Sequence, residues 1–203
     1  MRNIFATLLA FIVCILVSCD YSERDIADPR LPRYTEQGAN TAGCVINEKV
    51  WFDPCYFGLF PSWTSCDGLT VACDSLLNYS ELRFSGGYYS PGFEDLESLS
   101  VVLRLPSKQI RNLGSLRALI GSELPIDGTS VSADLITDGV SLLACSEAET
   151  VQTGKVFFRS DGSDHKAFAG TFGFSASNDC GRYDVFYGRF DYDVTQVNFI
   201  SLN

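Results

Sequence analysis

From Thr41 onward the chain is patterned with a period of two. In Ala167–Ser177, Phe168, Gly170, Phe172, Phe174 and Ala176 fall on one face, and Thr171, Gly173 and Ser175 on the other. That is the signature of a strand buried on one side. Turn-forming residues follow at Ser177–Gly181, and Arg182–Val194 returns as a partner strand. The apolar set of this second strand changes parity at Gly188, with Val185 and Tyr187 before it and Phe190, Tyr192 and Val194 after it. One extra residue produces such a shift, so a β-bulge is predicted at Gly188, the residue type that permits it. Cys44–Trp51 alternates around a turn at Asn47-Glu48, and Ser80–Gly86, Leu99–Leu105, Thr129–Thr137 and Thr150–Phe158 are strand-like. Lys108–Ile120 instead sets Ile110, Leu113, Leu116 and Ile120 at helical spacing. It predicts one short helix, which Gly114 weakens by about 1 kcal/mol relative to Ala. Phe52–Asp74, rich in Cys, Gly and Pro, reads as an irregular loop. The fold class expected is all-β, an antiparallel sandwich or barrel.

The first residues follow another pattern. Arg2 is followed by an apolar run of 14 residues, Ile4–Val17, and then by Ser18 and Cys19. A membrane-spanning helix needs about 20 residues, so the run reads as a secretory leader. Leu16-Val17-Ser18-Cys19 resembles the bacterial lipobox, in which the Cys thiol takes diacylglycerol and the leader is cut just before it. The resemblance implies lipidation at Cys19 and lasting attachment to a bilayer, because two or three acyl chains hold where one is marginal. The expected organisation is a leader over 1–18, a flexible tether over 19–40, polar and carrying two prolines, and a single β domain over 41–203.

Loss of the leader leaves 185 of 203 residues and, with Arg2 gone, moves the net charge from −10 to −11. That charge argues against nucleic acid as a partner and against general adhesion to anionic lipid headgroups. Fifteen Phe and nine Tyr favour strands. Of eight cysteines, Cys14 leaves with the leader and Cys19 is assigned to lipid. Cys44, Cys55, Cys66, Cys73, Cys145 and Cys180 remain, an even number that reads as three disulfides outside the cytoplasm. The simplest scheme joins Cys145 to Cys180 and pairs the other four among themselves. The closest spacing, Cys66 to Cys73, is too wide for a zinc knuckle, so neither metal nor cofactor is expected.

Two segments carry a wider resemblance. Thr35-Glu36-Gln37-Gly38-Ala39-Asn40-Thr41-Ala42-Gly43-Cys44-Val45-Ile46-Asn47-Glu48-Lys49-Val50-Trp51 is similar to the signature T-Q-x-G-x-N-T-F-G-C-x-V-N-G-x-x-W. Gly170–Ala176 and Gly188-Arg189-Phe190-Asp191 are similar to G-T-F-x-F-(T/S)-A and G-R-F-D. Both signatures belong to a family of Bacteroidota lipoproteins without an established function. The resemblance implies a β-rich domain on a lipid anchor in the cell envelope, with the outer membrane as the expected location, and brings no catalytic residues. Ala42 stands where the family favours Phe, and Glu48 replaces the Gly of an Asn-Gly turn, which argues against a type I′ hairpin.

Few residues suggest chemistry. The one histidine, His165, sits with Asp161 and Asp164 in a polar loop without the register of a calcium site. Glu94, Asp95 and Glu97 supply carboxylates for glycoside hydrolysis only if two of them face each other across a cleft. Tyr88, Tyr89 and Phe93 offer a stacking surface for a glycan or a protein partner, or else fold back on the sheet. Trp51 reads as core, and Arg189 and Asp191 as members of a structural ion pair. Asp74-Ser75-Leu76 is similar to a short O-glycosylation acceptor pattern in Bacteroidota. The expected function is a non-enzymatic envelope lipoprotein that is structural or binds a partner. The alternatives are a carbohydrate-binding surface lipoprotein and an acidic-residue hydrolase.

Overall fold

The computed structural model describes residues 31, 38–53, 68–88, 98–106, 108–144, 150–159, 166–179 and 181–202. These form strands β1 (Thr41–Ile46), β2 (Lys49–Phe52), β3 (Leu69–Asp74), β4 (Tyr79–Tyr88), β5 (Ser98–Pro106), β6 (Glu123–Ile126), β7 (Ser132–Thr137), β8 (Val140–Ser141), β9 (Val151–Phe158), β10 (Ala167–Asn178), β11 (Gly181–Asp193) and β12 (Asn198–Ser201). One helix, α1 (Leu113–Arg117), and a 3₁₀ turn at Val194–Gln196 complete the set. The strands make one curled sheet, a half-barrel, in the order β6-β9-β10-β11-β1-β2-β4-β5-β7-β8, with β3 also on β4 and β12 on β3. The pairings are antiparallel apart from β12 on β3, which is parallel. The all-β expectation therefore holds.

Alternation builds the core as the sequence indicates. Phe168, Phe172, Phe174 and Ala176 of β10 are buried together with Phe84, Phe158, Phe190, Tyr192 and Trp51. Phe190 lies at the centre of the rings, 5.1 Å from Phe84 and 5.4 Å from Phe168 between centroids. Each such ring contributes roughly 1.5–3 kcal/mol by leaving water. A second, smaller cluster of Leu31, Val50 and Phe52, with Val45 against it, uses the alternate positions of β1 and β2.

The bulge in β11 is present, one residue from its predicted position. Phe172 pairs with Gly188 but Phe174 pairs with Val185, and on the other flank Gly43 pairs with Arg189 but Val45 with Phe186. The left-handed residue is Tyr187, at φ 54°. Gly188 serves close approach instead: a Cβ there would lie 2.5 Å from the Phe172 carbonyl oxygen and 2.6 Å from its ring. The bulge turns Tyr187 outward, so its side chain is exposed rather than a continuation of the Val185 row.

The β1–β2 hairpin also departs from expectation. Ile46 pairs with Lys49, and the two loop residues Asn47 and Glu48 both take positive φ, 45° and 72°. This is the type I′ pattern without glycine. Asn47 is held in it by β11: its side chain donates to the Arg182 carbonyl at 3.1 Å and accepts from the Asp184 N–H at 2.8 Å.

The helix is shorter than its periodicity. Asn112 caps it, with Asn112 and Ser115 making a reciprocal capping box. Ile110 is buried ahead of it, and Leu119 rather than Ile120 completes the buried side. The stretch read as an irregular loop contains a regular strand, β3, paired from Leu69↔Phe84 to Asp74↔Tyr79.

Near the two ends of the curled sheet, side chains bridge the gap between them. Gln152 of β9 accepts from the Ala133 N–H of β7 at 2.8 Å and donates to the Ala133 carbonyl at 2.9 Å. Its carboxamide stands in for a strand's peptide group. Nearby, Thr150 Oγ1 and Asn178 Nδ2 both donate to the Leu143 carbonyl.

Candidate functional site

Among the six cysteines expected to pair, Cys44 and Cys73 lie in described strands, and both are buried free thiols. This corrects the scheme that placed them in bridges. Alternation explains it: Cys44 belongs to the inward row of β1 with Ala42 and Ile46, opposite Trp51. Burial pushes its thiol pKa far up, which keeps the sulfur protonated and unreactive. Cys55, Cys66, Cys145, Cys180 and Cys19, the residue expected to take lipid, lie outside the described residues.

Of the three contact aromatics, Tyr88 is described. It closes β4, pairs with Trp51 and is half-buried against the main core. The Lys49 ammonium sits 5.3 Å from its ring centroid, a cation–π contact. Trp51 is fully buried, as expected, and its indole donates to the Leu99 carbonyl at 2.8 Å. It packs on Gly86, where a Cβ would come within 2.6 Å of the indole. Tyr89 and Phe93, the carboxylates Glu94, Asp95 and Glu97, and His165 with Asp161 and Asp164 lie outside the described residues.

The structure assembles groups that single positions did not reveal. Glu81 of β4, Arg104 of β5 and Asp134 of β7 form a chain across three strands, with contacts of 2.7 Å and 3.2 Å, and Arg83 joins Glu81 at 2.8 Å. Both acids are buried, while both arginines remain about one-third exposed. Burial opposes the Arg104 charge, but hydrogen bonding and charge from Glu81, then from Asp134, outweigh it and raise its pKa. The signal in the sequence was charge inside apolar strands: two charged residues in "SELRF" and one each in "VVLRL" and "SADLI". Each buried acid of this lattice is engaged by an arginine.

Two further carboxylates act as ties. Asp53, buried after β2, accepts a 2.8 Å hydrogen bond from Tyr192 Oη. Asp191, also buried, accepts the Gly38 N–H at 2.7 Å and the Ala39 N–H at 3.3 Å. It thus fastens the incoming chain to β11, a use beyond the ion pair anticipated for it. Among the described residues, no three His, Cys, Asp or Glu side chains converge as a metal would require. No described helix is long and apolar enough to cross a membrane.

The surface has a distinct apolar feature. The turn joining β3 to β4 carries Leu76 and Leu77, 82 % and 72 % exposed. Asp74 Oδ1 fixes it by accepting the N–H groups of both leucines, at 2.9 Å and 2.8 Å. Ser75, of the glycosylation-like pattern, stands exposed on the same turn. Compared with protein-family models, curated proteins and solved structures, the chain matches none.

Proposed function

We propose that the chain is a lipid-anchored cell-envelope protein, without enzymatic activity, whose β domain is structural or binds a partner outside the cytoplasm. Leu16-Val17-Ser18-Cys19 at the end of an apolar leader carries this reading. The outer membrane is the expected location, on the resemblance to Bacteroidota lipoproteins. Two features of the described residues support a structural or binding role: aromatic rings fill the main core, and the buried acids Glu81 and Asp134 are engaged by Arg104. The remaining cysteines, Cys55, Cys66, Cys145 and Cys180, are proposed to form two disulfides.

The test is expression of the full chain in a bacterial host fed a clickable palmitate analogue. The wild-type chain should take up label and fractionate with membranes, and Cys19→Ala should do neither. Label and membrane partitioning unchanged in Cys19→Ala would overturn the reading.

A second reading is supported by Tyr88, a half-buried aromatic at a strand end with Lys49 beside its ring. In that reading the domain binds carbohydrate, with Tyr89 and Phe93 extending the surface. Glycan-array binding that Tyr88→Ala abolishes would support it.

A further inference from the structure

We propose that the β3–β4 turn is a membrane-contact tip, with Leu76 and Leu77 entering an anionic lipid surface and neighbouring cations meeting its phosphates. Three observations carry it. First, the turn is preset: Asp74 holds both leucine amides, Asn78 takes a left-handed φ of 53°, and both side chains project into solvent. Leu202, 41 % exposed, donates its N–H to the Cys73 carbonyl at 3.1 Å and so extends the apolar surface beside the turn.

Second, the turn is flanked by positive charge in a chain of net charge −10. Segment 108–111 is fastened beneath it, with Gln109 donating to Asn78 Oδ1 at 2.9 Å, Ser80 Oγ to the Lys108 carbonyl at 2.8 Å, and the Ile110 N–H to Ser80 Oγ. Lys108 and Arg111 are exposed on this segment. Within the turn itself, the Asp74 carboxylate accepts the two leucine amides. Anionic headgroups match this arrangement.

Third, the tip shares an end of the sheet with the incoming chain. Gly43, Phe52 and Gly87 form one row across β1, β2 and β4. Going back from Gly43 leads to Thr41 and Gly38, and going back from Gly87 leads to Tyr79 and the leucines. β1 and β4 run the same way, because each is antiparallel to β2. Lys166, whose carbonyl accepts the Val194 N–H, is exposed at this end too, beside the Asp193 carboxylate. The tip's own affinity does not rest on the lipid-anchor reading. A protein partner fits less well, because a stable contact buries roughly 800 Å² on each side, far more than a short convex turn offers.

The test uses the chain from Asp20 to Asn203, which lacks Cys19 and therefore any acyl chain. Both described hydrophobic clusters lie within residues 31–199, so this chain retains the core. Co-sedimentation is measured with vesicles of phosphatidylcholine alone or mixed with phosphatidylglycerol, at low and high salt. Mixed vesicles should bind the chain, and Leu76→Ser with Leu77→Ser should weaken the partitioning at least about tenfold. Lys108→Glu with Arg111→Glu should weaken it similarly and remove its salt dependence. Phe186→Ser with Tyr187→Ser, on the β11 bulge, should leave it unchanged. Circular dichroism confirms that each variant is folded. The proposal is overturned by absence of binding to mixed vesicles, by undiminished binding of the double serine variant, or by equal loss in the bulge variant. Leucine-dependent self-association without lipid, or a hexose on Ser75 of natively expressed protein, would likewise overturn it. Since no acyl chain is present, these outcomes are independent of the palmitate experiment.

Discussion

At the scale of single residues, two positions hold conformations that their side chains disfavour. Glu48 at φ 72° and Tyr187 at φ 54° occupy a region that costs an L residue about 1–2 kcal/mol. Glu48→Gly should therefore stabilise the domain by roughly 0.5–1 kcal/mol, read as a higher urea midpoint with an unchanged slope. The Tyr192–Asp53 pair makes a different prediction. Burial first, and the Asp53 carboxylate second, hold the Tyr192 phenol well above its ordinary pKa of 10.0. The folded-state value is raised, so the contribution is complete below pH 10 and is lost as pH climbs beyond it, when the unfolded chain can ionise and the folded one cannot. Cys44, pushed up by burial from 9.0, adds a loss of the same sign that begins lower. Tyr192→Phe should cost about 1–2 kcal/mol near neutrality and flatten the alkaline decline in urea midpoints measured from pH 7 to 11. The sequence made the burial of Trp51 and Tyr192 legible through their rows. It did not reveal that Glu48 would accept a glycine conformation, because the restraint comes from Asn47 binding β11, far away along the chain.

At the scale of elements, alternation revealed strands wherever one face is buried and the other is not. β3, β6, β8 and β12 escaped it. β6, β8 and β12 are short with largely exposed positions, and β3 buries both faces around Ala72, which erases the period. The parity change was legible, but its cause was read one residue late, because Gly188 serves packing against Phe172 and Tyr187 bears the strained dihedral. Deleting Tyr187 should restore regular register with both β10 and β1, leaving Val185 and Gly188 facing inward. That deletion should keep the fold and a cooperative thermal transition. Deletion of Gly173, on the unbulged β10, reverses the facing of every residue beyond it and should abolish folding. Gln152→Ala should strand the Ala133 N–H and carbonyl, cost about 1–3 kcal/mol, and show in hydrogen exchange as an amide at 133 that loses protection before those of β10.

At the scale of the whole molecule, composition and leader pointed to an extracytoplasmic β domain, and the β architecture follows. The chemistry expected of its cysteines does not follow for Cys44 and Cys73, which the fold places in its interior as thiols. No spacing rule distinguishes a bridge-forming cysteine from one on the inward row of a strand. Denatured without reductant, the processed chain should titrate two thiols, Cys44 and Cys73, and the native chain neither; six in the denatured chain would remove the remaining bridges. The contact aromatics were legible only as a composition, and Tyr88 owes its setting to Lys49 and Trp51 across the β2–β4 pairing. The union of β1 with β11 has a kinetic consequence. Thr41 pairs with Asp191, so the sheet cannot round into its final curve until residue 191 has emerged from the ribosome. Contacts so remote in sequence form slowly, and until β11 is made β1 has only β2 beside it, leaving its other edge without the strand that joins it to β10.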